Sequence, residues 1–344
     1  MGIQKTPFKR CFLVYAKGMK IYLYTLLSSF RQGVKSHHLN YFTVANPAIA
    51  QGGMFDESKE AIYDIIPDRF TPNTLVVYGR EDITDIVEKM NNKGLRFPIF
   101  IKPDVGLQGY LVKKIDNEKE LARYLEPYTH KKFLIQEFLD HNNEYALLYY
   151  KYPETGESGI FSLSSRSYPF VVGDGKKTLK ELLEGYGNDR VDRTDFMERY
   201  KDLMDDIVEK GQKFIVDYVG NYKRGSELHD EVGAVDNELV QAIDQYIGSI
   251  DGLHFIRLDL KAHSIEDIKK GDFKIIEVNG AKAESMHKYD NKYTDTDRMK
   301  ILDEHWHILG DISRQNIAKG YKPGSLLSSV KSLLNLWRIL YFEK

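Results

Sequence analysis

Apolar residues recur at helical spacing near both ends of this 344-residue chain. Near the amino end they alternate in steps of four and three residues, which is one helix face made of Phe12, Ala16, Met19, Leu23, Leu26 and Phe30. A second stripe near the carboxyl end consists of Leu326, Val330, Leu333, Trp337 and Leu340. The opposite faces are polar and basic, so the pattern predicts two amphipathic helices. The interpretation we favour buries each stripe on the body, on the other helix or in a dimer; the alternative is attachment to an anionic membrane surface.

Between these stripes, short apolar runs alternate with charged segments of helical period. The apolar runs predict strands over 74–78, 98–104, 110–115, 133–139, 144–152, 159–172, 255–263 and 273–280. Helical spacing predicts helices over 57–66, 83–91, 117–127, 178–213 and 236–249. This order of elements predicts an α+β fold in which pairs of strands present most of the chemically useful side chains.

The composition excludes several classes of protein. At 42% hydrophobic and 29% charged residues, the chain is long enough for roughly two domains with cores of their own and too polar to be embedded in a membrane. Its single cysteine, Cys11, cannot form an internal disulfide, so we expect a reducing, cytoplasmic location. Lys17 and Lys20 interrupt the first apolar stretch, so we expect neither a signal peptide nor a membrane span there.

The charges are unevenly distributed along the chain. The net charge of −2 argues against a general nucleic-acid binder. No Asp or Glu precedes Asp56, whereas seven Lys and Arg do, so the first 55 residues carry +7 and the remainder carries −9. The pattern predicts a basic front end joined to an acidic body, and it leaves open what the front end docks on.

Two predicted strands near the carboxyl end carry paired polar side chains. Alternation places Arg257 and Asp259 on one face of their strand, and Glu277 and Asn279 on one face of the next. Carboxylate and amide oxygens are the hard ligands that Mg²⁺ prefers. Either strand alone is typical of an ordinary salt-bridged sheet face. The two together indicate a metal site.

Candidate phosphate and nucleotide contacts come from an earlier part of the chain. Lys102 follows an apolar strand, and Gly106 and Gly109 lie in the turn beyond it, where a lysine and backbone N–H groups can approach phosphate oxygens. A plain hairpin turn is the alternative. The end of the strand at Gln136, Glu137, Phe138 and Leu139 can offer backbone groups to an adenine edge, and Glu144 can accept hydrogen bonds from ribose hydroxyls.

These segments, in this order, resemble the ATP-grasp superfamily, and specifically the carboxylate–amine ligases similar to D-alanine–D-alanine ligase. The matching pieces are ESKEAIYDIIP, FPIFIKPDVGLQG, LIQEFLDHNNEY, RLDL and KIIEVNG, which span roughly residues 57–285. A further stretch, SYPFVVGDGKKTLKELL, resembles a segment of cyanophycin-synthetase-like ligases; its Thr178 and Glu181 predict a helix capping box. The resemblance implies a two-lobed ATP-grasp fold, with amphipathic helical extensions at both termini as this chain's own addition.

The resemblance also implies roles for individual residues. Lys59 and Lys102 would contact the nucleotide, the Gly106–Gly109 loop would cover the phosphates, Gln136 to Leu139 would hold adenine and Glu144 the ribose. Asp259, Glu277 and Asn279 would hold Mg²⁺, for which Mn²⁺ is a substitute. Arg257 and Lys102 are the implied catalytic residues, Arg257 by stabilising the oxyanion of an attacked acyl phosphate. Lys223, Arg224 and Glu284 are candidate substrate contacts.

The sequence therefore predicts four regions: a basic amphipathic segment over 1–55, a small lobe over 56–140, a large lobe with the metal site over 141–318, and an amphipathic helix over 319–344. The expected function is ATP- and Mg²⁺-dependent joining of a small-molecule carboxylate to an amine. The alternatives are phosphorylation of a non-carboxylate acceptor, and a non-catalytic nucleotide-binding scaffold docked on a partner or on the inner surface of a membrane. The identity of the acid and the amine stays open.

Overall fold

The computed structural model describes residues 8–55, 57–106, 109–141, 143–186, 196–197, 199–218, 220 and 225–341. For residues 8–20 and 340–341 it describes the backbone alone. The candidate substrate contacts Lys223 and Arg224 lie outside the described residues.

The described residues form a mixture of helices and antiparallel strands, which confirms the predicted α+β class. The helices are α1 Phe8–Lys35, α2 Lys59–Tyr63, α3 Ile83–Asn92, α4 Glu118–Leu125, α5 Leu179–Glu184, α6 Asn237–Tyr246, α7 Ile265–Lys269, α8 Asp295–Ala318 and α9 Leu326–Tyr341. The strands are β1 Thr74–Tyr78, β2 Ile99–Pro103, β3 Lys113–Ile115, β4 Lys132–Glu137, β5 Asn143–Lys151, β6 Ser158–Ser167, β7 Phe170–Val172, β8 Lys213–Ile215, β9 Glu227–Asp230, β10 Phe255–Ala262 and β11 Lys274–Asn279.

The smaller of the two main sheets has the strand order β1-β4-β2-β3, and every pairing in it is antiparallel. Its core combines strand residues such as Val77, Ile101 and Ile135 with Ile86 of α3 and Leu121 of α4. Because this core is separate from the other apolar clusters, the small sheet and its two helices form a distinct packing unit.

The larger sheet has the order β11-β10-β5-β6-β9 and is covered on both faces. Tyr149 and Leu258 pack into one cluster with α6 and α7, whereas Leu148 packs into another with Leu309 and Ile312 of α8. Alternate residues of the central strands thus serve two cores, which explains why β5 and β10 are buried almost continuously.

The stretch over 178–213 that was predicted to be helical is only partly helical in the described residues. Helix α5 has the predicted capping box between Thr178 and Glu181 but ends at Glu184, with Gly185 as its C-cap residue. Further along, β8 pairs with β7 in a two-stranded sheet, and Val208 and Val216 pack with Leu183 in a small core. Tertiary packing of these apolar residues overrides the helical charge pattern, as it does at β9, which the sequence did not predict.

Both terminal helices are present, as predicted, but the described part of their apolar stripes is buried neither on the body nor on the other helix; burial in a dimer stays a prediction. The stripe residues with described side chains are exposed, namely Leu23, Leu26, Phe30, Leu326, Val330, Leu333 and Trp337. Burial instead falls on polar positions such as Ser28, Gln32 and Ser329, which face the rest of the protein.

Within the described part of the chain, no helix has both the length and the apolar character required to cross a membrane.

Candidate functional site

The candidate site lies where the small sheet meets the large sheet. Helix α2 and the end of β2 supply Lys59 and Lys102 from one side, and β11 supplies Glu277 from the other. The three residues stand in sequence segments that are far apart, and the packing of the two sheets brings them together.

Asp104 fixes helix α2 beside the end of β2. Its carboxylate accepts hydrogen bonds from the Ser58 hydroxyl at 2.9 Å and from the backbone N–H of Glu60 at 2.9 Å. The backbone N–H of Lys59 donates to the Asp104 carbonyl at 3.2 Å. Ser58 is itself the N-cap residue of α2. The first turn of the helix is therefore tied to the loop after β2, and this sets the position of Lys59.

Lys59 points into the cleft between the sheets. Its Nζ lies 3.8 Å from Glu277 Oε1 and 3.4 Å from the carbonyl oxygens of Asp104 and Gly106. Burial lowers the pKa of Lys59, and Glu277 opposes that shift. A buried cation held by carbonyl oxygens and one partly exposed carboxylate is suited to receive a phosphate group.

Lys102 bridges the two sheets directly. Its Nζ donates to the Tyr63 hydroxyl at 2.9 Å and to the Ile276 carbonyl of β11 at 2.7 Å. Tyr63 donates to the same carbonyl at 2.5 Å. Burial lowers the pKa of Lys102 to about 8, although Glu277 and Asp259 pull in the opposite direction.

The segment predicted to hold adenine, Gln136 to Leu139, lies at the end of strand β4. The Gln136 side chain donates to Thr74 Oγ1 at 2.8 Å, and the Glu137 carboxylate accepts from the backbone N–H of Asn73 at 2.8 Å. Phe138 stacks on Phe100 with ring centroids 5.8 Å apart, and Leu139 is buried. The side chains of this segment therefore hold the end of the small sheet in place.

The predicted ribose ligand, Glu144, lies in a buried ion-pair network. It accepts hydrogen bonds from Arg166 and from the Tyr168 hydroxyl, the latter at 2.8 Å. Arg166 also donates to Asp259 at 3.1 Å, and Arg257 donates to Asp259 at 2.7 Å. Burial alone would raise the pKa of Asp259, but Arg166 and Arg257 outweigh it and hold that pKa below its usual value. The Glu144 carboxylate is thus already engaged by two protein donors.

The predicted metal residues occupy adjacent positions on paired strands. In the antiparallel pair of β10 and β11, Asp259 faces Glu277 and Arg257 faces Asn279. The two strands thus form an antiparallel pair that brings these four residues together. The Asn279 Nδ2 atom is buried without a hydrogen-bond partner. Across the described residues, no group of three or more His, Cys, Asp and Glu is arranged to hold a metal ion, so the donor set depends on the amide of Asn279.

Three further predicted residues are described by the structure: Gly106, Gly109 and Glu284. The Gly106 carbonyl accepts from Lys59, and Gly109 has a φ of 74°, a conformation that favours glycine. Glu284 pairs with Lys288 at 3.2 Å and accepts from Tyr289. Burial would raise the pKa of Glu284, but Lys288 outweighs it and lowers that pKa.

Sequence reasoning missed several residues at the site: Arg166, Tyr63, Asp104 and the buried pair of Glu57 and Lys282. Asp104 stands inside the matched segment FPIFIKPDVGLQG, so its position could have drawn attention to it. Arg166 is the one charged residue in the serine-rich strand β6. This feature of the sequence is weak evidence for a role. The role becomes clear only from the position of Arg166 opposite Glu144 on the neighbouring strand.

The cleft is narrow. Lys59, Ile62, Tyr63, Glu277 and Val278 line about 160 Å³ of empty space, including the part open to solvent. Sites for small-molecule ligands are typically about 300–1,000 Å³. The space lined by these five residues is therefore smaller than such a site.

Comparisons with solved structures find several ligases. VanG D-Ala:D-Ser ligase from Enterococcus faecalis is 14% identical, with a TM-score of 0.40, over 72% of this chain and 61% of that one. A bifunctional glutathione synthetase from Pasteurella multocida is 16% identical, with a TM-score of 0.34, over 71% of this chain and 35% of that one. A D-alanine–D-alanine ligase from Bacillus anthracis is 14% identical, with a TM-score of 0.43, over 76% and 69%. The chain thus spans less than two thirds of the first two of these proteins.

A comparison with curated protein sequences finds no significant match. A comparison with family models matches residues 67–148 to the RimK-like ATP-grasp domain. The matched residues run from the turn after α2 through the whole small sheet and into β5. They include Lys102 and the segment from Gln136 to Glu144. The match of residues 67–148 to a RimK-like ATP-grasp domain confirms the predicted resemblance to the ATP-grasp superfamily.

Proposed function

We propose that the protein is an ATP-dependent ligase that joins a small-molecule carboxylate to an amine and releases ADP and phosphate. The observation that carries this proposal is the convergence of two buried lysines, Lys59 and Lys102, on Glu277 at the junction of the two sheets. The RimK-like ATP-grasp domain over 67–148 supports the nucleotide part of the proposal. The proposal includes the four predicted regions of the chain, 1–55, 56–140, 141–318 and 319–344.

The proposed reaction has two steps. An oxygen of the carboxylate attacks the γ-phosphorus of ATP, the bond to the β–γ bridging oxygen breaks, and ADP leaves. The amine then attacks the acyl carbon, the bond to the phosphate oxygen breaks, and the nitrogen loses a proton. Charge neutralisation and positioning dominate this chemistry. A nucleophilic side chain is therefore not required, which suits a site built from lysines, arginines and carboxylates.

Each predicted residue has a place in this scheme. Lys59 and Lys102 neutralise the phosphates, the Gly106–Gly109 loop covers them, and the backbone from Gln136 to Leu139 holds adenine. Arg257 stabilises the oxyanion formed when the amine attacks. Glu144 contacts the ribose only if its bonds to Arg166 and Tyr168 rearrange. Glu284 is proposed to face the amine substrate.

The donor set fits a hard divalent cation. Asp259, Glu277 and Asn279 offer two carboxylates and one amide oxygen at neighbouring positions of two paired strands. Since Asp259 is already bonded to Arg166 and Arg257, Glu277 is the carboxylate most available to a metal. Mg²⁺ held there, or Mn²⁺ in its place, would neutralise charge on the phosphates of ATP.

Acceptor-dependent release of phosphate tests the proposal. We expect phosphate and ADP to form only when both a carboxylate and an amine are supplied, in a screen of candidate acids and amines. ADP formation with an alcohol or no acceptor would instead favour a phosphotransferase or a scaffold with background hydrolysis.

Glu277→Gln separates the metal assignment from the fold. We expect this variant to lose turnover by about a hundredfold or more, because a charged ligand is lost while the shape is kept. Glu266→Gln, on an exposed position of α7, is the matched control. Retention of full activity by Glu277→Gln would remove Glu277 from the metal site.

A further inference from the structure

The two terminal helices pack on the protein through polar side chains and leave most of their described apolar side chains exposed. A surface helix normally turns its apolar stripe to the core and its polar face to water. In α1, Leu23 and Phe30 are 53% and 57% exposed, whereas Ser28 and Gln32 are 1% and 6% exposed. At 100° per residue these two pairs lie on opposite sides of the helix.

The inward face of α1 is held by polar contacts. The Ser28 hydroxyl donates to Asp303 of α8 at 2.9 Å, and Arg314 of α8 donates to the Gln32 side chain at 3.1 Å. Gln32 also packs closely against Gly310, where an added Cβ would lie 2.6 Å from its Oε1. Because these contacts fix the rotation of α1 about its axis, the exposure of the apolar stripe is specified by the fold.

Helix α9 repeats the inversion. Ser329 is buried and accepts a hydrogen bond from Asn40 at 3.2 Å, and Leu336 is buried beside it on the same face. Six other apolar side chains of the helix are half or more exposed, namely Leu326, Leu327, Val330, Leu333, Leu334 and Trp337. Contiguous exposed apolar surface of this kind marks an interaction site. Its occurrence on two helices separated by most of the chain makes one shared purpose the simplest explanation.

The charges next to these stripes are all of one sign. Helix α1 contains no Asp or Glu, and neither occurs between Asp311 and Glu343. Arg31 and Lys35 on α1 and Lys331 on α9 are exposed. Arg31 and Lys331 lie roughly 80–100° round their helices from the middle of the stripe, so that cations flank the apolar side chains. An isologous contact with a second copy would bring these cations against one another, which disfavours self-association.

We propose that the exposed stripes of α1 and α9 bind the surface of an anionic lipid bilayer. Leucine, valine and phenylalanine side chains enter the boundary between headgroups and acyl chains, and the flanking Lys and Arg side chains meet the negative headgroups. The polar contacts of Ser28, Gln32 and Ser329 keep the rest of the protein attached to the helices in this arrangement. The proposal is independent of the reaction at the cleft.

Flotation with vesicles tests this inference on the full chain. We expect the protein to partition at least tenfold more strongly onto phosphatidylcholine vesicles containing 30 mol% phosphatidylglycerol than onto pure phosphatidylcholine vesicles. We also expect 0.5 M salt to reduce the binding because it screens the headgroup charge. Absence of binding to the anionic vesicles, or equal binding to both, would overturn the proposal.

Variants on the stripes decide where the lipid contact lies. Leu23→Ser combined with Phe30→Ser, and separately Leu327→Ser combined with Leu334→Ser, should each lower partitioning at least tenfold without changing the thermal unfolding midpoint. Ile207→Ser is the matched control, since Ile207 is 58% exposed and lies outside both helices. Stripe variants that bind like the control would contradict the proposal. So would a stable dimer of the native chain that the stripe variants convert to monomer, because the stripes would then be an interface between copies.

Discussion

Lys102 is the residue whose acid–base chemistry the fold changes most clearly at the cleft. Burial lowers its pKa from 10.5 to about 8, so at neutral pH it is a cation that has lost much of its hydration. Its ammonium group donates hydrogen bonds to the Tyr63 hydroxyl and to the Ile276 carbonyl. A phosphate that replaces these neutral partners would meet a concentrated positive charge.

The lowered pKa of Lys102 predicts a pH dependence of nucleotide binding. If ATP binds the protonated lysine, its dissociation constant should rise as the pH increases above about 8, by roughly tenfold per pH unit for one linked proton. Lys102→Arg should lose that proton linkage because a guanidinium stays charged throughout this range. Calorimetric titration between pH 7 and 9.5 measures both slopes. A native dissociation constant that is flat across the range would contradict the assignment.

The same pKa has a consequence for stability with the opposite sign. Between pH 8 and 10.5 the unfolded chain holds a proton on Lys102 that the native protein has released, so the free energy of unfolding should rise with pH across this window. Stability is therefore lost as the pH falls through about 8. Comparison of the native protein with Lys102→Met in urea at several pH values isolates this contribution, since methionine does not titrate.

Arg166 is the residue on which two buried carboxylates depend. It lies on β6, next to the strand of Glu144, and bonds both to Glu144 and to Asp259 one strand further away. We expect Arg166→Met to lower the free energy of unfolding by about 3–5 kcal/mol at pH 7, because it leaves two buried charges with fewer partners. Arg80→Met, at an exposed position, should change stability by less than about 0.5 kcal/mol. Equal effects of both variants would argue against a central role for Arg166.

At the scale of elements, the sequence predicts best where the pattern and the packing agree. The pairing of β10 with β11 follows from alternation, since Leu258 and Val278 face the core while Asp259 and Glu277 share the other side. Strand β1 at 74–78 is confirmed to the residue. In these elements, the local preference of the chain and the tertiary contacts favour the same structure.

The sequence-based prediction of elements fails where contacts between distant parts of the chain determine the structure. The charged segment over 178–213 has a helical pattern, yet the pairing of β8 with β7 places its end in a sheet. The stripes of α1 and α9 are helical as predicted, but their periodicity cannot say which side faces the body. The hydrogen bonds of Ser28 with Asp303 and of Gln32 with Arg314 determine which side of α1 faces the body. Both partners lie roughly 280 positions further along the chain. Likewise, Glu144 has a suggestive position in sequence, but only the sheet register reveals Arg166 opposite it.

Asp104 allows a test of whether the start of helix α2 determines the position of Lys59. Since its carboxylate holds Ser58 and the backbone of Glu60, Asp104→Ala should free the start of α2 and displace Lys59. We expect a loss of about 1–3 kcal/mol of unfolding free energy and a roughly tenfold weaker affinity for ATP. Asp82→Ala removes the N-cap of α3, away from the cleft, and is the control. It should cost about 1 kcal/mol with no change in ATP affinity. Weakened ATP binding in both variants would mean that general destabilisation, and not the position of Lys59, is the cause.

At the scale of the whole molecule, the small sheet and the large sheet have separate cores. Polar contacts of Tyr63 and Lys102 with the Ile276 carbonyl join the two sheets at the cleft. Elements with cores of their own can move relative to one another at a smaller cost than elements that share a core. We therefore expect the two sheets to change their separation when a nucleotide replaces these polar contacts.

This architecture predicts a measurable displacement on binding. With Cys11 replaced by serine, spin labels at Glu88 on α3 and Gln241 on α6 report on the separation of the two sheets, since both positions are exposed. We expect a non-hydrolysable ATP analogue to shift their distance distribution, because a phosphate bound by Lys102 would replace the contacts with Tyr63 and the Ile276 carbonyl that join the two sheets. Labels at Glu88 and Arg123 lie within the small sheet's own helices and should show no shift. If calorimetry shows the analogue bound while the first pair of labels stays fixed, the nucleotide enters without separating the sheets. That result would contradict the expected separation of the two sheets.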